Sequence, residues 1–287
     1  MGFLNDPFMV RALIAAALVG VTAPAIGTYL VQRRQAIMGD GLGHVAMTGV
    51  ALGLVTNTSP VWMATLVAVV GAVAMEMIRS RGRTSGDVAL SLLFYGGLAG
   101  GVMIVNLGGS STSKLLGPMF GSITAVAPED VTAMALLAAF VLAVALGLRR
   151  QLFAVCQDEE FAKVTGLPVR LLNLLIAVTA AVTVTVAMRI VGLLLVSAMM
   201  VIPVAAAQRI TRGFAATLGL AIGISVTVSL VGTTATYYLN APSGAAIVLL
   251  AIAVFMALTA VSAPLARRRA AASRAAEEVC TRDDVTV

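Results

Sequence analysis

The chain has 287 residues, 60% of them hydrophobic and 11% charged, with a formal net charge of +6, whereas an average soluble domain is about a quarter charged. The apolar residues form long runs rather than alternating stripes, which excludes an ordinary soluble fold and gives no support to a transmembrane β-barrel. Two cysteines, Cys156 and Cys280, are too few for a disulfide framework, and basic residues gathered at the ends of apolar runs orient membrane helices rather than bind nucleic acid.

A run of about 20 apolar residues, rising about 1.5 Å each, matches a hydrocarbon core of roughly 30 Å. Lipid offers the backbone no hydrogen-bond partner, so each span must satisfy its own amides as a helix. The predicted fold is all-α, a polytopic transmembrane helical bundle of about nine spans. The first, 11–29, opens on the lone charge of Arg11 and contains Ala23-Pro24-Ala25, which faintly resembles a cleavage site. Its length and its end in Arg33-Arg34 favour a retained span. Spans at 37–55, 61–78 and 88–107 follow. A Gly-Ser-Thr loop at 108–113 and the helix-start signature Pro128-Glu129-Asp130 lead into a span at 131–148. The remaining spans are 171–188, 191–207, 214–237 and 245–263. The sixth and seventh are nearly continuous through Met188-Arg189-Ile190, so eight spans stand as the alternative to nine. Residues 1–266 form the transmembrane domain and 267–287 a charged, Ala-rich cytoplasmic tail.

Charge orients this bundle. Alternate connections carry Arg33 and Arg34; Arg79, Arg81 and Arg83; Arg149, Arg150, Lys163 and Arg170; Arg209 and Arg212; and finally Arg267, Arg268, Arg269, Arg274 and Arg282. These are 16 of the 19 basic residues. Positive charge is retained in the cytoplasm, so the N-terminus is expected outside and the C-terminus inside a bacterial plasma membrane, with lipid around the spans.

Charge within a span is costly and asks for a reason. In Met38-Gly39-Asp40-Gly41-Leu42-Gly43-His44, Asp40 and the only histidine, His44, lie four residues apart and share one helix face. A carboxylate oxygen and an imidazole nitrogen at that spacing suit zinc, manganese or ferrous iron. They also suit a structural Asp–His hydrogen bond that neutralises both groups. Gly49 and Gly53 form a small-xxx-small pair that permits close helix approach, while Gly39, Gly41 and Gly43 would let the helix loosen around a site. Glu76 stands three residues before Arg79, as a local ion pair would place it, and the 14 methionines are read as core filling.

The connection between 149 and 170 carries a second signal. Asp158 can cap a short helix with an acidic first turn, Glu159-Glu160, while Gly166 can end it and Pro168 stops its continuation. Phe161 and Val164 then share a face, beside Lys163. Surface-binding membrane helices usually have basic polar faces, so this acidic one reads as docking into a groove on a cytoplasmic partner. No Gly-rich loop ending in Lys-Ser or Lys-Thr is present, so ATP should not bind to the chain itself. One histidine, no HExxH and no oriented Ser–His pair offer no catalytic residues and weigh against an intramembrane hydrolase.

Several segments, in this order, resemble the metal-type ABC permeases, the zinc/manganese/iron uptake family often called ABC-3. They are Arg33-Arg34 with Gly39–His44, Val50-Ala51-Leu52-Gly53, Phe120-Gly121-Ser122-Ile123, Phe161-Ala162 with Gly166-Leu167-Pro168, Val191-Gly192-Leu193-Leu194, Ile202-Pro203 and Tyr237-Tyr238-Leu239-Asn240-Ala241-Pro242-Ser243-Gly244. The resemblance implies a permease homodimer served by two cytoplasmic ATPase subunits and an extracytoplasmic metal-binding protein. It implies that the metal is cargo rather than a tightly bound cofactor, that Asp40 and His44 lie in its pathway, and that 158–166 is the coupling helix. Two departures stand out: Gly43 where the family often has Ser before the histidine, and Glu159 where it often has Pro. The rival readings are an ABC permease for a siderophore or corrinoid chelate, which needs no Asp–His pair, and a gradient-driven metal carrier, which needs more buried carboxylates.

The orientation is open to test with single cysteines in a cysteine-free background and a membrane-impermeant thiol reagent on intact cells. A cysteine at 110 should be labelled and one at 81 should not; the reverse pattern inverts the bundle.

Overall fold

The structure is a computed structural model that describes residues 7–80, 86–109, 117, 119, 121, 128–239 and 243–261. Arg81, Arg83, residues 110–113, Asn240, Ala241, Pro242 and the tail at 267–287 lie outside the described residues. The helices are α1 (Pro7–Gln32), α2 (Met38–Val55), α3 (Pro60–Ser80), α4 (Gly86–Leu107), α5 (Pro128–Gly147), α6 (Arg149–Gln157), α7 (Glu159–Val164), α8 (Val169–Val191), α9 (Leu193–Gln208), α10 (Phe214–Leu239) and α11 (Ser243–Val261). Proline opens α1, α3 and α5, the helix position where its missing N–H costs nothing and its fixed φ is already helical.

Among the described residues seven helices, α1 to α4, α8, α10 and α11, are long and apolar enough to span a membrane, and α5 with α6, bent by 65°, makes an eighth if the pair is counted as one span. The nine predicted runs all appear as helix, so nine is an approximate count rather than a count of full spans. The sixth and seventh runs are two helices, α8 and α9, parted at Gly192. With φ 87° and ψ 153°, Gly192 occupies a backbone region open to glycine and strained for other residues. The 16 residues of α9 reach about 24 Å, short of a full crossing. Gly121, itself at φ 69°, lies against this break: a methyl in its place would stand 2.4 Å from the Val191 carbonyl carbon.

The interior belongs to α1, α2 and α8, whereas α3, α4, α10 and α11 turn most of their surface outward. Trp62, Leu66 and Val70 on α3 and Leu92, Tyr95 and Met103 on α4 are exposed, as lipid-facing side chains are. The inward face of α3 is an alanine stripe, Ala64, Ala68 and Ala72, each almost completely buried. Against it lies α2, where a methyl added to Gly49 would meet the Ala64 Cα at 2.5 Å and one added to Gly53 the Pro60 Cα at 2.7 Å. On the other side of α2, Gly97 of α4 meets the backbone of His44 and Val45, and Thr48 Oγ1 donates to the Gly97 carbonyl at 2.6 Å. Gly27 of α1 approaches the Met200 carbonyl of α9 as closely.

Of the three glycines expected to loosen the helix, two are sites of close contact. Helix α2 is regular from Met38 onward, and α9 approaches it at Gly39 and Gly43 through Met200 and Leu193, while Gly41 meets Leu93 of α4 at an ordinary 3.5 Å.

Gly49→Ala should lower stability by about 1–3 kcal/mol, because the added methyl meets backbone that cannot move aside alone. Gly219→Ala, on α10 with nothing within 4 Å, should be neutral or stabilising. Thermal unfolding of both variants in detergent checks the contrast; equal melting points would remove the close α2–α3 approach from the account.

Candidate metal site and docking helix

Helix α2 brings Asp40 and His44 together, with His44 buried and Asp40 half-buried. Asp40 stands in the first turn of α2 and His44 one turn on, with the carboxylate Oδ2 4.0 Å from the imidazole Nε2. That separation is beyond a hydrogen bond. Two ligands of one tetrahedral ion at about 2.1 Å each stand roughly 3.4 Å apart, so a small side-chain rotation would let both reach one ion. The His44 side chain is 9% exposed and that of Asp40 33%. His44 Nδ1 is buried without a hydrogen-bond partner, and the Phe94 ring meets the imidazole edge-on at 4.5 Å between centroids.

Sequence reasoning missed Ser197. Its hydroxyl donates to the Leu193 carbonyl at 2.8 Å and lies 3.4 Å from Asp40 Oδ1, bringing α9 to the pair. One serine in an apolar run carries little signal by itself, and only the fold shows which helix it faces. At the neighbouring position Leu193 fills the space beside Gly43, where an added methyl would collide with its Cδ1 at 1.8 Å. The hydroxyl beside this pair therefore comes from α9 and not from residue 43. Among the described residues no cluster of three or more His, Cys, Asp or Glu side chains is placed to hold a metal; one chain offers two strong ligands.

The segment at 158–166 forms the short helix its residues predict. Asp158 Oδ1 accepts from the Glu160 amide at 2.9 Å and the Phe161 amide at 3.0 Å, and Gly166, at φ 81°, stands just beyond the end of α7. Phe161 is 63% exposed and Val164 86%, while Ala162 is fully buried. Glu160 pairs with Lys163 at 2.7 Å on the open surface, a contact of small energetic value. Glu159 points the other way. Its Oε1 accepts from Arg33 at 2.8 Å, Arg79 at 2.9 Å and Asn173 at 3.1 Å. Arg79 also grips Glu76 through two bonds of 2.9 and 3.0 Å, the local pair its spacing predicts.

Burial works against charge on Glu159, but hydrogen bonding and attraction from Arg79, then Arg33, then the Asn173 amide outweigh it and hold the carboxyl below its ordinary range. The group is therefore ionised at neutral pH. Asn173, 3% exposed near the start of its helix, is a polar signal that sequence reasoning passed over at this junction.

A bundle of apolar helices of spanning length, with an ionisable pair held inside it and an apolar face presented at one end by a short capped helix, defines a multi-pass membrane transport subunit. The chain belongs to the ABC 3 transport family, whose profile matches residues 5–262. It is 30% identical over 261 residues to a protein of Treponema pallidum (strain Nichols) named "Probable metal transport system membrane protein", covering 90% of this chain and 97% of that one. It is 26% identical over 254 residues to the manganese transport system membrane protein MntC of Listeria innocua, covering 88% and 90% of the two chains. The solved structure of PsaBC from Streptococcus pneumoniae in complex with Fab matches with a TM-score of 0.79 at 28% identity, over 90% of this chain and 92% of that one.

Proposed function

We propose that the chain is the membrane-spanning permease of an ATP-driven importer, moving a divalent transition metal ion, zinc, manganese or ferrous iron, into the cytoplasm. The observation that carries this reading is the Asp40–His44 pair: two ligands 4.0 Å apart, not bonded to each other, on an interior helix. At that distance neither group saturates the other, which leaves both available to an ion. A passage needs ligands that hold an ion briefly and let it go, and two per chain meet that need where a complete four-ligand cage would trap it. In a homodimer two such pairs would face one pathway, with Ser197 beside each. The metal is cargo, and the chain supplies no site for ATP.

Energy then comes from a partner, and α7 is where that partner binds. Phe161 and Val164 present an apolar face at the end of the bundle that carries Arg33 and Arg79, the end we assign to the cytoplasm from the distribution of basic residues. Asp158 and Gly166 set the ends of this helix and Ala162 anchors it, so the exposed face fits a groove on an ATPase subunit. An extracytoplasmic metal-binding protein would deliver the ion at the opposite end.

Asp40→Ala and His44→Ala should each leave the complex assembled and abolish uptake of the metal into vesicles. If the two residues were only a structural pair, each single variant would melt earlier because one polar group is stranded, and a double apolar replacement would restore both stability and uptake. Full uptake in a stable double variant removes the pair from the mechanism. Neutral imidazole is the form that binds metal, so wild-type uptake should decline once external pH is lowered far enough to protonate His44.

Phe161→Asp should insert normally yet lose the ATPase subunit on purification, since a charge buried in an apolar groove costs several kcal/mol. Wild-type uptake in that variant would leave α7 as a surface helix with no partner.

A further inference from the structure

Glu159 is the side chain that ties α7 to the rest of the bundle. The backbone of α7 packs on α6 and α8, its neighbours along the chain. The carboxylate reaches further, because its Oε1 gathers Arg33 from just beyond α1, Arg79 from the last turn of α3 and Asn173 from near the start of α8. With Glu76 the junction holds two guanidinium groups and two carboxylates and is neutral. The Arg33, Glu76 and Asn173 side chains within it are buried. Exposed pairs count for little, but here, although Glu159 is 34% exposed, removal of its carboxylate leaves two cations, one of them the buried Arg33, facing a single buried anion.

The elements that grip Glu159 both border the helix that carries Asp40 and His44. Arg33 belongs to the tight turn leading into α2, where Arg34 takes φ 58° and the Gln35 amide donates back to the Leu30 carbonyl at 2.8 Å. Asp40 follows seven residues after Arg33. Arg79 terminates α3, which lies along α2 through Gly49 on Ala64, Gly53 on Pro60 and Gly71 on Val45. A charged junction of this kind fixes direction as well as distance, whereas apolar contacts at the same place could slide.

We propose that Glu159 is a positioning residue for transport: its junction with Arg33, Arg79 and Asn173 carries a displacement of α7 into α2, so that a partner seated on Phe161 and Val164 moves the Asp40–His44 pair. This rests on the docking role proposed above for α7. Glu159 itself touches neither the ion nor the partner groove; it determines whether movement of one reaches the other.

The experiment uses the complete transporter, permease with its ATPase and metal-binding protein, in vesicles, and reads ATP hydrolysed per manganese or zinc ion taken up. Glu159→Gln keeps the shape and removes the charge, Glu159→Ala removes both, and Asn173→Ala removes one donor without altering charge. In Glu159→Gln the ATPase subunit should still co-purify and hydrolysis should persist, while uptake falls about ten-fold or more, the scale of coupling between distant sites. The ATP-to-metal ratio should therefore rise, most in Glu159→Ala and least in Asn173→Ala. A wild-type ratio overturns the proposal, whether uptake is normal or uptake and hydrolysis fall together as a folding role requires. Failure of all three variants to assemble overturns it too. Phe161→Asp in the same vesicles separates the premise: retention of the ATPase subunit there sinks the docking role, whatever the ratio in the Glu159 variants.

Discussion

Helices surrounded by acyl chains gain little by hiding apolar side chains from one another, because lipid is as apolar as leucine. What holds them is packing distance, and in this chain the distance is set by residues with almost no side chain. Gly27 under the Met200 carbonyl, Gly49 on Ala64 and Gly97 on the backbone of His44 let neighbouring helices touch main chain to main chain. The alanine stripe of α3 continues the same logic along the helix, with Ala64, Ala68 and Ala72 at every fourth position. As a result α2 is clamped on two sides over most of its length. A helix so clamped gives its two ionisable side chains a fixed address, and that fixity is what makes a 4.0 Å separation between Asp40 and His44 chemically meaningful.

Two solutions to charge at low dielectric coexist in the molecule. The Glu76–Arg79–Glu159–Arg33 junction is balanced: every charge meets an opposite one within 3 Å, which is how a buried ionic group avoids its desolvation penalty. The Asp40–His44 pair is open. Asp40 is a third exposed and His44 keeps an unpartnered Nδ1, so the pair has bonding capacity left over. The two differ in bonding rather than in exposure, since Glu159 and Asp40 are each about a third exposed: the saturated cluster is suited to transmitting force and the unsaturated one to accepting a visitor.

Much of this could be read from the sequence, and the parts that could not share a cause. The apolar runs gave the helices, because lipid leaves the backbone no alternative. Asp40 with His44 and Glu76 with Arg79 were legible as pairs because helical spacing alone brings them together. Asp158 and Gly166 announced α7 through local capping chemistry. By contrast, Arg33 and Arg79 meet Glu159 across 126 and 80 residues, and Ser197 meets Asp40 across 157. No local rule reports such distances. Gly49 and Gly53 were legible as a close-packing pair, whereas Gly39 and Gly43 were read as loosening the helix because a sequence displays the missing side chain but not the neighbouring helix that occupies its place. The bend of 65° between α5 and α6 was hidden for a similar reason, since the residues on either side, through Gly147, Leu148 and Arg149, read as a span running out into a basic loop.

The brevity of α9 changes the electrical landscape an ion would meet. A helix of about 24 Å is shorter than a hydrocarbon layer of roughly 30 Å, and at its N-terminal end the backbone of Val191 and Gly192 is met by Gly121. Amide dipoles of protein stand there in place of methylene groups. Fixed dipoles offset part of the penalty for stripping water from a cation, which methylene groups cannot do. Ser197 lies five residues from Gly192, about 7 Å along the axis. Asp40, which Ser197 meets from α9, stands in the first turn of α2, so the break brings protein dipoles within about two helical turns of the pair.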